Sequence, residues 1–165
     1  MIFVVLGTWG MPFLRPIIEI ENLVKNGDIK EDVIVQAGNT TFFSQYLKII
    51  DFFDKQNFDE TFSNASYIIT QAGVGSIMNG LKFKKKVIAI ARLEKYKEHI
   101  NDHQLEILST FSSKGYIIPW DEQDQLKDVI KKIETFEPQS YPFAKGQIAE
   151  TIIDYLENNC HKNKI

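Results

Sequence analysis

The chain has 165 residues, 44% of them hydrophobic and 25% charged, and a formal net charge of −3. Such a length and composition suit one globular domain with a sizeable core, and the acidic balance argues against general attraction to nucleic acid. The lone cysteine, Cys160, lies in a polar tail, so neither a disulfide framework nor a cysteine-based metal site is expected.

In chain order, "IFVVLG" (2–7) predicts a buried first strand. It is too short, and lacks the basic start, for a secretory signal. "LRPIIEIENLVKNG" (14–27) predicts an amphipathic helix stopped by Gly27. "DVIVQAG" (32–38) predicts the second strand. Within 39–65 the pattern is mixed: "YLKIIDFF" is compatible with a strand and "FDETFSNA" with a short helix. "YIIT" (67–70) is a strand, and "SIMNGLKF" a helix with Ser76 as its cap. "KVIAIA" (86–91) is another doubly buried strand. A helix follows over 101–115, capped by Asn101 or Asp102 and stopped by Gly115. "YIIPW" is a short strand, 121–136 a helix with an acidic first turn, and 143–159 a last amphipathic helix before a frayed tail. Strands alternating with helices predict a single α/β domain over 1–158, a parallel sheet with helices on both faces. No stretch approaches the roughly 20 apolar residues that span a bilayer, so membrane association is expected only through a partner or at the periphery.

In such sheets ligands bind beyond the carboxyl ends of the strands, and three loops fall there. In 7–13, Gly7 ends a strand, Thr8 offers a hydroxyl and Gly10 permits close backbone approach. This is either a tight turn or one wall of a ligand site. In 70–79, Gly73 and Gly75 clear side chains from a helix start whose amides suit an anion, or merely a cap. Met78 in place of a third glycine excludes the dinucleotide fingerprint, and the loop lacks the Gly-Lys-Ser/Thr ending of a P-loop. With Gly80 four residues on, Ser76 is no nucleophile elbow. The third loop, 91–106, carries Arg92, Lys95, Lys97, Glu98, His99, Asp102, His103 and Gln104. It is a solvated charged loop, or a set of donors and acceptors where the other two converge. His99 and His103 lie on either side of the helix cap, so they need not share a face and no metal pair is expected.

Taken together, 65–108, with "TQAGVGS" and "INDHQ", resembles the nucleotide-sugar-binding half of the family-28 glycosyltransferases. Single-domain relatives of that half are more similar still. They include the small soluble subunit that adds N-acetylglucosamine to a dolichol diphosphate-linked sugar, and small bacterial subunits of capsule and exopolysaccharide synthesis. "VVLGTWGMPFLRPI" and "RLEKYKEHINDHQ" look most like the bacterial proteins. The resemblance implies one Rossmann-like half of a GT-B enzyme, equivalent to its C-terminal half. It places Gly7, Thr8, Gly73, Gly75 and Ser76 at a donor diphosphate, and Gln71, Asn79, Asp102 and Gln104 near the nucleoside or sugar. Gln71 stands where many relatives have histidine, and Asn79 where many have an acid that bonds the ribose. An amide at 71 bonds but cannot gain a proton, and a neutral amide at 79 holds a diol less firmly than a carboxylate does.

The resemblance further implies inverting transfer of a hexose or N-acetylhexosamine from a UDP-sugar to a lipid-diphosphate-linked acceptor, without metal or other cofactor. A membrane-anchored partner would bind the acceptor, keeping the chain cytoplasmic and peripheral to the inner face of the membrane. The base would lie on that partner, or be His99 or His103 here. The competing class is a non-catalytic accessory subunit that stabilises the transferase.

Overall fold

The computed structural model describes residues 1–143. The predicted helix over 143–159 and the tail 159–165 therefore fall outside the described residues, save Phe143. Six strands, β1 (Ile2–Val5), β2 (Val33–Gln36), β3 (Lys48–Ile50), β4 (Tyr67–Gln71), β5 (Lys86–Ile90) and β6 (Ile118–Pro119), form one sheet in the order β3-β2-β1-β4-β5-β6. Every pairing is parallel. The order reverses between β1 and β4, so the loops leaving those strands diverge and open a crevice at the carboxyl edge.

The helices are α1 (Leu14–Lys25), α2 (Lys55–Asn64), α3 (Val74–Lys82), α4 (His103–Ser113) and α5 (Leu126–Thr135). Alternation along β1 explains why both sheet faces are covered. Ile2, Val4 and Leu6 pack with Phe13, Ile17 and Ile20 of the α1 side and with Leu126, Val129 and Ile133 of α5. Phe3 and Val5 face the other layer, with Phe62 of α2, Ile77 and Leu81 of α3 and Leu108 of α4. Phe3 is the hub of that layer, edge-on to Phe53, Phe58 and Phe62 at 5.2–5.8 Å. Each such fully buried side chain contributes about 1.5–3 kcal/mol of transfer free energy.

Three boundaries differ from the sequence expectation. The mixed segment 39–65 resolves into β3 and α2, and α2 starts at Lys55 because Asp54 Oδ1 accepts from the Asn57 amide at 2.8 Å. α3 is capped by Gly73 rather than Ser76, which puts Gly75 and Ser76 inside the first turn. α5 begins at Leu126 rather than 121: the acidic run folds into a turn, with the Asp121 amide donating to Asp124 Oδ2 at 3.1 Å. The Leu126 amide then finds its acceptor on another helix, Glu19 Oε1 of α1 at 2.6 Å.

Candidate donor site

The carboxyl ends of β1, β2 and β4 approach so closely that glycine is obligatory at two positions. Gly7 has φ +77°, and a Cβ there would lie 1.8 Å from Gln71 Nε2. Gly38 has φ +61°, and its Cβ would lie 2.1 Å from the Gly7 carbonyl oxygen. Left-handed backbone and the absence of space thus act together. The loop after Gly7 is fastened from β2: Asn39 Nδ2 donates to the Thr8 carbonyl at 2.9 Å, and Thr40 Oγ1 accepts from the Phe13 amide at 2.9 Å. Thr8 and Trp9 are left exposed on the rim.

Across the crevice, the Gly73 amide turns back to the Gln71 carbonyl at 2.7 Å, and α3 starts immediately. No side chain caps it, and the amides of Val74, Gly75 and Ser76 have no partner among the described residues. A Cβ on Gly75 would meet nothing within 4 Å, so the space above those amides is open. Unmet donors at a helix start, with the helix dipole behind them, suit an anion.

The residue that joins the three loops is one the sequence reading left among the loop charges. Arg92, two residues beyond the end of β5, is 1% exposed. Its Nε donates to Gln71 Oε1 at 2.7 Å, Nη1 to the Met11 and Glu98 carbonyls at 2.7 and 3.0 Å, and Nη2 to the Leu6 carbonyl at 2.8 Å. The guanidinium lies 4.6 Å from the Phe13 ring centroid. Burial lowers its pKa to about 10, opposed by the nearby Glu98, so it remains a cation at neutral pH. Glu98 is itself buried, accepting from Arg15 Nη2 at 2.8 Å and from the Leu93 amide at 3.0 Å. A signal for Arg92 was present: an arginine at the mouth of a doubly buried strand has only interior or crevice to enter.

Gln104, also buried, accepts from the Arg92 amide at 3.0 Å and donates to Gln71 Oε1 at 3.5 Å. Gln71 thus joins Gln104 on one side to Gly7 and Gly73 on the other in one cluster. His99 is buried and stacks on Trp9 at 4.6 Å, and the His103 ring lies 4.6 Å from His99. Asn101 Oδ1 accepts from the His103 amide at 3.3 Å and meets His103 Nδ1 at 2.5 Å. Because that oxygen only accepts, Nδ1 carries the proton and Nε2 is left as the basic nitrogen. Burial, then the neighbouring His99, depresses the His103 pKa, with Glu106 opposing. Asp102 is not turned to the glycine loops. It accepts from the Glu94 amide at 2.7 Å and lines a separate cavity of about 170 Å³ with Arg15, Lys95, Trp120 and Glu122. Asn79 sits half-buried on α3, a turn beyond Ser76, and makes no side-chain bond to the cluster.

The model of the glycosyltransferase family 28 C-terminal domain matches residues 1–158. An NMR solution structure of ALG13 superposes with a TM-score of 0.55 at 17% identity, covering 92% of this chain and 93% of that one. The crystal structure of the glycosyltransferase SnogD from Streptomyces nogalater gives 0.50 at 12% identity, over 81% of this chain and 38% of that one. No curated protein matches the sequence. The two structures share the Rossmann-like fold with this chain, and the family model, matched over nearly its whole length, shows that the chain belongs to the family-28 glycosyltransferase C-terminal domains.

Proposed function

We propose that this chain is the UDP-sugar-binding subunit of a two-component inverting glycosyltransferase. The acceptor is a lipid-diphosphate-linked sugar of capsule or exopolysaccharide synthesis, and the transferred unit a hexose or N-acetylhexosamine. Family membership supports a glycosyltransferase donor-binding role for the domain. The observation that carries the reading is the convergence, at one switch point, of the open amides of Val74, Gly75 and Ser76 with Gly7, Thr8 and Gln71. Donors fixed before reaction stabilise the negative charge that develops on a departing diphosphate, at no reorganisation cost.

Among the described residues no helix is long and apolar enough to cross a membrane, which is in keeping with a membrane-anchored partner supplying the acceptor groove. The base is a group on that partner or, on this chain, His103 through its unprotonated Nε2, with His99 packed behind it. UDP-sugar transfer should require chain and partner membranes together; full turnover by the isolated chain would overturn the two-component reading. Gly75→Trp separates catalysis from support. The side chain enters open space, so the complex should persist while transfer falls at least about 100-fold. Transfer unchanged with the complex intact would replace this reading with an accessory subunit, for which the neutral Gln71 and Asn79 speak.

A further inference from the structure

Gln71 is fixed in one orientation by a partner that can only donate. Arg92 Nε–H bonds the terminal atom of Gln71 at 2.7 Å, so that atom is the oxygen, and Gln104 Nε2 approaches the same oxygen at 3.5 Å. The amide nitrogen must then face the other way. It lies against the α-carbons of Gly7 and Gly73, where added Cβ atoms would come within 1.8 and 3.1 Å of it. Among the described residues it bonds nothing, and no buried side-chain polar atom there is left without a partner, so Nε2 opens onto the crevice.

Arg92 does not reach the crevice. It is 1% exposed, and three of its four other N–H groups are taken by the carbonyls of Leu6, Met11 and Glu98. It therefore touches no ligand itself, and the bond to Gln71 is the hydrogen-bonded link from its guanidinium to the crevice. A cation bonded to an amide oxygen polarises that amide and strengthens the bond its N–H groups make to an anion.

We infer that Arg92 is a positioning residue of the donor site, which aims and polarises the Gln71 carboxamide so that Nε2 donates to a diphosphate oxygen. The inference rests on the donor-site reading above and adds to it a specific donor and the buried residue that sets it. It also accounts for an anion site floored by neutral groups: the positive charge sits one hydrogen bond behind the surface.

The test compares UDP with uridine, whose affinity difference isolates the phosphates, on the wild-type chain and on Gln71→Glu. Glutamate keeps the oxygen that Arg92 bonds and turns the donor into an acceptor. The expected result is an unchanged or higher Tm and a UDP-over-uridine advantage reduced at least about tenfold, whatever the change in uridine binding itself. A Gln71→Glu chain that keeps the full advantage overturns the inference while leaving the donor site standing. A wild-type chain with no advantage for UDP overturns the donor-site reading and the inference with it. The role of Arg92 is read by NMR without altering it. On adding UDP its Nε–H resonance should shift with that of Gln71 Nε2, and the shift should vanish in Gln71→Ala. A silent Arg92 resonance beside a responding Gln71, or one that still moves in Gln71→Ala, would leave Arg92 a purely structural tie and overturn the claim.

Discussion

The glycines of the site separate into those the fold requires and one that only the proposed donor would require. Gly7 combines positive φ with a Cβ position already filled by Gln71. Gly7→Ala should destabilise the chain by about 2–4 kcal/mol, from left-handed strain plus overpacking, as measured by urea unfolding. Gly75 is helical and faces open space, so Gly75→Ala should leave stability unchanged or raise it by about 0.5 kcal/mol while weakening UDP binding. A stability loss at Gly75 comparable to that at Gly7 would remove the distinction. The imidazole of His103 gives a pH test. Its folded pKa lies below the unfolded value, so the unfolded chain takes up the proton first on acidification. The stability it contributes is full above the unfolded pKa of about 6.5 and is lost as pH falls from there through the folded value. The stability of the wild type relative to His103→Gln should therefore decline between pH 7.5 and pH 5.5; a constant difference would contradict the burial argument.

At the scale of elements, α3 delivers the open amides, and its placement depends on how closely it lies on β5. Gly80 makes that approach possible, since a Cβ there would fall 2.4 Å from Val87 Cγ2. Gly80→Ala should cost about 1–3 kcal/mol by overpacking and, by lifting α3, weaken UDP binding together with stability. Equal UDP affinity in a destabilised Gly80→Ala chain would show that the helix start is not held through this contact. The strands were legible in the sequence because "YIIT" and "KVIAIA" are continuous apolar runs, which only a doubly covered sheet accommodates. Helix starts were less so. Ser76 has the better intrinsic cap chemistry, yet the chain turns at Gly73, where the crowding against Gln71 sets the path. The cap of α5 comes from Glu19, 107 residues away, which no local pattern can reveal. Of the candidate site, the glycines, Gln71 and Gln104 could be grouped by loop position and resemblance. The burial of Arg92, by contrast, exists only once three loops have met.

At the scale of the molecule, the sheet order places the loops after β1, β4 and β5 at one edge, where open amides, the Gln71 carboxamide bonded by Arg92 and exposed Thr8 and Trp9 occur together. On the function proposed above, the chain is a donor half-site presented at an edge, and the acceptor and its membrane attachment fall to a second component. Amide-resolved NMR titration of the chain with UDP tests this most directly. The predicted result is a contiguous set of shifts at Gly7, Thr8, Gly73, Val74, Gly75, Ser76 and the Gln71 side chain. Shifts absent from those positions, or gathered at the amino edge of the sheet, would contradict it.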